Sequence, residues 1–274
     1  MRNLQQGYLW RKRSQFAESW IPFLEKIFGD RVVLTQEPHR KTGALEIYLK
    51  NETEGKILQK NLGGRVLFFD SKQWAKWQRA AHYPIKIENQ LLVVASEKQR
   101  DFFQRRYPKR KILWIPAEAA FGTGAHATTF LCLREMIKCY PFASLVDAGT
   151  GSGILAIAAA QLGCKKVQAF DSDPVAIRVA KQNAQRNRVN ISWNVKKIEH
   201  FQPKQKVDGV VANLFSEILI HRSKKIANWI KKDGFLILSG IRSYQRAEVQ
   251  KAFSFLTAKE IFQKEGWCGM VFQK

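Results

Sequence analysis

"DAGTGSGILAIAAAQLG", residues 147–163, sets an aspartate ahead of three glycines at alternating positions and follows them with small apolar residues. Glycine adopts backbone conformations closed to other residues and lets a ligand approach the chain closely. The apolar run behind it reads as a buried helix over 152–162, and "SLVDAG" (144–149) in front reads as a short buried strand. Strand, glycine turn and helix together open a βαβ unit.

The same rhythm continues towards the C-terminus. Strands "KVQAFD" (166–171), "ISWNVK" (191–196), "VDGVVAN" (207–213) and "GFLILSGI" (234–241) alternate with a helix over 174–187 and another near 216–230. Alternating strands and helices predict a parallel sheet covered on both faces, a doubly wound, Rossmann-like α/β domain. Only a tight glycine turn separates "AKEIFQKEG" (258–266) from "WCGMVFQK" (267–274), so an antiparallel hairpin is expected at one edge.

The first 70 residues follow another order. A strand near 4–10, an amphipathic helix near 14–28, strands "RVVLTQ" (31–36) and "ALEIYL" (44–49), a helix at 54–62 and "RVLFFD" (65–70) give β-α-β-β-α-β. That is the layout of a small α+β, ferredoxin-like domain. The expected organisation is a smaller domain over 1–70, a linker region over 71–110 and the large domain over 111–274. The linker holds "SKQWAKWQRAAHYPIKI" (71–87) with Trp74 and Trp77, the strand "QLLVVA" (90–95) and a basic helix over 97–106.

The 274 residues carry 46 Lys and Arg against 23 Asp and Glu, a formal net charge of +23, which calls for an acidic partner such as RNA or a ribosomal surface. The excess is spread over the whole chain and is densest in "QRRYPKRK" (104–111), where Tyr107 stands among five cations. No stretch has the length of a signal peptide's apolar core or a membrane span, so a cytoplasmic protein without a membrane partner is expected; a monomer is expected as well. Cys132, Cys139, Cys164 and Cys268 form no C-x-x-C pair, so no metal site or disulfide framework is signalled.

The glycine turn restricts the ligand. A dinucleotide fingerprint places a third glycine at 154, where this chain has Ile154. The pattern present is D-x-G-x-G-x-G, with Asp147 at the strand end and Gly149, Gly151 and Gly153 in the turn. An amino-acid-sized group, its ammonium near a carboxylate, fits better than a pyrophosphate. Twenty residues after Gly151, Asp171 ends the second strand, where doubly wound folds set an acid against ribose hydroxyls, and Asp173 and Pro174 begin the next helix. Glycine turn and ribose acid together imply an adenosine cofactor with an amino-acid moiety, S-adenosylmethionine.

Two further stretches belong to the same edge. "AAFGTGAHATTF" (119–130) is a small-residue loop able to fold against a ligand, with Thr128 and Thr129 placed to cap the following helix. "VVANLF" (210–215) ends the fourth strand at its carboxyl end, where such sheets bind ligands, and offers Asn213 as the catalytic residue. Its carbonyl can accept from a substrate amine or from the cofactor ammonium. His126 is read as a loop residue that orients its neighbours or is solvated, not as a base.

"AFGTGAHATT", "DAGTGSGILAIAA", "DSDP" and "VANLF", in this order, resemble the methyltransferases of large-subunit ribosomal protein L-eleven, with a looser likeness in "QWAKWQ". The resemblance implies a class I methyltransferase sheet, a ferredoxin-like substrate-recognition domain, and transfer to lysine or N-terminal amino groups of that protein. It also implies that Thr129, Gly149, Asp171 and Asn213 bind S-adenosylmethionine; Asp147 and Gly151 join them from the reading of the turn. Where the family usually has threonine and proline, this chain has Ala125 and Ala127, and Leu214, Phe215 and Ser216 replace a small aliphatic run. Methyltransferases of planar nitrogens resemble one another in Asn or Asp followed by Pro-Pro-Tyr; Asn213-Leu214-Phe215 departs from that and points to an sp³ amine. The competing readings are an RNA methyltransferase, favoured by the charge, and a non-catalytic ribosome-assembly module.

Overall fold

The structure, a computed structural model, describes residues 6–14, 17–28, 32–36, 43–49, 51–70, 84–116 and 126–274. Residues 71–83, with Trp74 and Trp77, and the loop segment 119–125 lie outside the described residues. The chain divides into two compact units, Met1–Ala81 and His82–Lys274.

In the first unit β1 (Gln6–Ser14), α1 (Ala17–Phe28), β2 (Val32–Gln36), β3 (Gly43–Leu49), α2 (Glu52–Leu62) and β4 (Arg65–Asp70) follow the β-α-β-β-α-β order. The four strands form an antiparallel sheet in the order β2-β3-β1-β4. Its core gathers Trp10, Leu24, Leu45, Ile47 and Leu58. Asn51 starts α2 by accepting the Glu54 N–H at 2.9 Å, one of the backbone donors a helix start leaves unpaired.

The second unit begins with a small sheet of β5 (Ile85–Ile87), β6 (Leu91–Val94) and β7 (Lys111–Trp114), with α3 (Glu97–Arg106) joining the parallel pair β6 and β7. After α4 (Ala127–Cys139) comes the large sheet. Its elements are β8 (Ser144–Ala148), α5 (Ile154–Leu162), β9 (Lys166–Asp171), α6 (Pro174–Arg186), β10 (Ser192–Val195), β11 (Val207–Asn213), α7 (Ser216–His221), α8 (Ser223–Asn228), β12 (Ile230–Arg242), α9 (Arg246–Ala252), β13 (Thr257–Lys264) and β14 (Trp267–Gln273).

Seven strands lie in the order β10-β9-β8-β11-β12-β14-β13, parallel from β10 to β12 and antiparallel for the last two. This is the doubly wound sheet with an antiparallel edge hairpin. All five residues of β8 are buried, as a strand covered on both faces requires. Two apolar layers flank the sheet, one around Leu145, Ile157 and Ala159, the other around Val146, Phe170 and Trp229. The strand order reverses between β8 and β11, which opens a crevice at their carboxyl ends.

One expected element differs. The helix near 216–230 is two short helices that meet at Arg222, and residue 230 already belongs to β12. Trp229, just past the second helix, is fully buried edge-on against Phe170 at 5.8 Å and Phe201 at 5.4 Å, which anchors the chain where it turns into β12.

Candidate functional site

Three strand ends bring the site together. In register, Ala148 lies beside Phe170 on one side and Ala212 on the other, so Asp147, Asp171 and Asn213 end adjacent strands at the same edge. The glycine turn is tied to β9 by its own backbone: the N–H groups of Gly149 and Thr150 both donate to the Phe170 carbonyl at 3.0 Å.

All three turn glycines have positive φ, +71° for Gly149, +54° for Gly151 and +83° for Gly153. Packing explains two of them further. A Cβ on Gly149 would meet the Leu214 side chain at 2.3 Å, and one on Gly153 would meet Ala180 Cβ at 2.9 Å. The expected close approach to a ligand therefore rests chiefly on Gly151.

Asp171 holds that residue in place. Its Oδ2 accepts the Gly151 N–H and its Oδ1 the Asp173 N–H, each at 3.0 Å. A carboxylate has about four lone-pair sites, so acceptor capacity remains for ribose hydroxyls. Asp173 then caps α6 by accepting the Val175 N–H at 2.7 Å, with Pro174 in the first turn, as read from the sequence.

Asp147 is fully buried. Its Oδ2 accepts the Thr150 hydroxyl at 2.6 Å and the Ala156 N–H at 3.1 Å, while Oδ1 has no hydrogen-bond partner among the described residues. Burial pushes its carboxyl up to about 7, against the lowering effect of Thr150 and Ala156. Thr129, also buried, keeps Oγ1 without a partner among the described residues. Buried polar atoms are normally paired. Each of these two buried atoms, a carboxyl oxygen and a hydroxyl, can take a hydrogen-bonding group of a ligand.

The expectation that Thr128 and Thr129 cap α4 is corrected. His126 is the capping residue, and its Nδ1 accepts the Thr128 N–H at 3.4 Å. The Thr128 hydroxyl lies 2.8 Å from the same nitrogen. An Nδ1 that accepts from the backbone carries no proton, so the hydroxyl donates to it. The Thr128 oxygen then accepts from Asn213 Nδ2 at 3.2 Å. His126, Thr128 and Asn213 thus form a chain that fixes the amide orientation and leaves the Asn213 carbonyl as the acceptor for a ligand.

Sequence reading missed Arg242 and Trp267, more than a hundred residues from His126 and without any local motif. The His126 ring meets Trp267 edge-on at 5.0 Å, and the Arg242 guanidinium lies 3.8 Å from the Trp267 ring centre. Burial, and secondarily the Arg242 charge, lowers the His126 pKa to about 4. Phe215, two residues beyond Asn213, is 60% exposed.

These two shifts act oppositely on stability. The unfolded chain takes up the His126 proton near its ordinary 6.5 and the folded chain only near 4, so this contribution is present above 6.5 and lost as pH falls to 4. Asp147 binds its proton more tightly when folded, so its contribution is present below about 4 and lost as pH rises towards 7. His126→Asn keeps a capping side chain and removes the first term. Acidification from pH 6.5 to 4 is therefore expected to favour the variant over the parent chain by up to about 1.4 kcal/mol per pH unit. Urea unfolding at several pH values measures it; identical profiles would exclude the buried neutral imidazole.

Among the described residues no group of His, Cys, Asp and Glu could hold a metal ion, and no helix is long and apolar enough to cross a membrane. The four cysteines are free, and burial pushes the thiols of Cys139, Cys164 and Cys268 up to about 11.

Comparison with known proteins gives a consistent result. The family described as "Ribosomal protein L11 methyltransferase (PrmA)" matches residues 30–274. A ribosomal protein L11 methyltransferase of Caldicellulosiruptor saccharolyticus is 36% identical over 211 residues, 75% of this chain and 67% of the relative. That of Bacillus cytotoxicus is 33% identical over 208 residues, 74% of this chain and 66% of the relative. The matches thus span about two thirds of the length of these curated relatives. Among solved structures, a ribosomal protein L11 methylase from Lactobacillus delbrueckii subsp. bulgaricus superposes with a TM-score of 0.63 at 28% identity, over 70% of this chain and 98% of that one.

Proposed function

Since the chain belongs to the ribosomal protein L11 methyltransferase family, we propose that it transfers methyl groups from S-adenosylmethionine to lysine or N-terminal amino groups of ribosomal protein L11. The observation that carries this reading is the convergence of the glycine turn, Asp171 and Asn213 at the switch point between β8 and β11, with Thr128 bonded to Asn213. In the same reading residues 1–70 recognise the substrate, residues 71–110 link, residues 111–274 hold the cofactor, and the basic surface contacts RNA or the ribosome.

The cofactor, when bound, supplies a methyl group made electrophilic by a sulfonium. The chain's own task is to hold the acceptor lone pair in line with it and to keep water out. Asp171 accepts from the ribose hydroxyls; Asp147 and Thr129 offer the buried polar atoms left unpaired; Gly151 permits close backbone approach. Asn213 accepts an N–H of the incoming amine and so aims its lone pair.

That amine must be neutral. A free lysine titrates near about 10.4 and an α-amino group near about 7.7–8.0. Removal from water beside a positive charge favours the neutral form, and the proton leaves to solvent before transfer. No side-chain base is required, which agrees with a neutral His126 engaged as a helix cap.

The test is direct. Ribosomal protein L11 purified free of RNA should acquire methyl label on lysine or α-amino nitrogen; label appearing only in RNA would overturn the reading. Asp171→Ala should weaken cofactor binding roughly 10- to 150-fold, the loss of a charged hydrogen bond of about 1.5–3 kcal/mol. Calorimetry on the folded variant decides, and unchanged affinity would remove Asp171 from the ribose site.

A further inference from the structure

The basic cluster read from the sequence lies far from the methyl-transfer edge. Asn187 ends α6, a helix that starts at Asp173 on the carboxyl edge and runs back along the sheet. Thirteen residues at about 1.5 Å each carry it roughly 20 Å to the opposite, amino edge. There the Asn187 side chain bonds both the N–H and the carbonyl of Trp114 at 2.8 Å, which fastens β7 and the preceding loop to the helix end.

A groove of about 350 Å³ opens at this join, lined by Lys109, Arg110, Lys111, Asn187 and Arg188 among others. Among the described residues none of Lys86, Arg105, Arg106, Lys109, Lys111 and Arg188 takes part in an ion pair. Arg110 donates to Asn89 through Nη2 at 3.1 Å, but its buried Nη1 has no hydrogen-bond partner among the described residues. The acids of α3 are already committed: Glu97 and Asp101 both pair with Arg100.

Aromatic rings stand among these cations. Tyr107 stacks on Phe103 with an interplanar angle of 8°, and the charged ends of Lys86, Arg106 and Arg110 lie 5.0–5.9 Å from its ring centre. Phe102, on the same helix, is 54% exposed and meets Phe103 edge-on. Unpaired cations along a groove, with flat rings beside them, suit a chain that alternates phosphates with bases. An anionic membrane would find only Phe102 to insert.

We propose that the face built by α3, the 107–111 loop and the end of α6 binds single-stranded RNA, and that it does so at the edge of the sheet opposite the methyl-transfer site. Bound RNA is therefore held in place and not methylated there. The inference does not depend on the transferase reading.

The test uses the full chain and a labelled mixed-sequence RNA 20-mer in a salt titration by fluorescence anisotropy. Five phosphates neutralised predict a slope of log K against log salt of about −3.5. The quadruple variant Arg105→Glu, Arg106→Glu, Lys109→Glu, Lys111→Glu should bind at least 100-fold more weakly at low salt with a slope flatter by about 3. A control quadruple, Lys196→Glu, Lys197→Glu, Lys224→Glu, Lys232→Glu, changes net charge equally on other exposed positions and should lose less than about fivefold. Phe102→Ala should lose about tenfold with the slope unchanged. Equal losses in the two quadruples would show diffuse attraction by net charge and overturn the proposal, as would preferential binding to phosphatidylserine vesicles. The four positions are exposed; retained cofactor binding verifies the fold, and the corresponding glutamine quadruple carries the same test should the glutamates unfold the chain.

Discussion

A fragment of residues 82–274 is expected to bind S-adenosylmethionine within about twofold of the full chain, yet to lose roughly 10²–10⁴ in kcat/KM towards ribosomal protein L11. The first half of this expectation follows from where the site lies. Asp147, the glycine turn, Asp171, Thr129 and Asn213 all belong to the second unit, whose apolar layers draw on that unit alone. The second half follows from the acceptor. A lysine or N-terminus is flexible and has little surface of its own, so a separate docking unit must raise its local concentration at the transfer edge. Residues 6–70 have their own sheet and a core around Trp10 and Ile47, and the proposed function gives them that docking role. A short lysine peptide too small to span both units is the internal control, and both forms should methylate it equally. Full activity of the fragment on the whole substrate would assign recognition to the large unit.

Asn213→Ala should lower turnover about 100-fold, or about 2.7 kcal/mol in the barrier, while the demethylated cofactor product binds within about threefold of the parent. In the proposed function the amide acts on the incoming amine, so its loss should fall on the transition state more than on the bound product. The chain from His126 through Thr128 supplies a sharper version. Thr128→Val removes the acceptor of the Asn213 amide N–H and frees the side chain to turn over, presenting a donor where an acceptor is needed. It should lose about tenfold in turnover, and combined with Asn213→Ala it should add almost nothing. Additive losses would separate the two residues. Measurement of single-turnover rates with saturating cofactor distinguishes the cases.

Local signals account for most of what the sequence revealed. Asp173-Pro174 announces a helix start through a cap and a fixed φ, and the strand ends at Asp147, Asp171 and Asn213 follow from apolar runs bounded by polar residues. What escaped depended on partners remote in the chain. That Gly149 and Gly153 also answer to packing was not legible: Leu214, Ala180 and Trp193 fill the space a side chain there would need. Threonine is ordinarily the better cap, yet a buried imidazole took that place because Trp267 and Arg242 enclose it. Arg222 breaks the helix after β11 with no glycine or proline to mark it. The parallel pairing of β6 with β7 around α3 also went unread, because the segment was taken as part of a linker.

The placement of β14 between β12 and β13 bears on how the chain is made. Among the described residues β13 pairs only with β14, and β14 supplies the other partner of β12, so the edge strand β13 cannot settle until Trp267–Gln273 has left the ribosome. Until then β12 presents an open row of backbone groups, and the layer that Met270 and Phe272 will fill is exposed. The first unit is built from contacts within residues 6–70 and can complete itself while the rest is still being synthesised. Translation thus produces a finished small unit tethered to a large one that closes last. During that interval the unpaired edge of β12 is open to pairing with another chain.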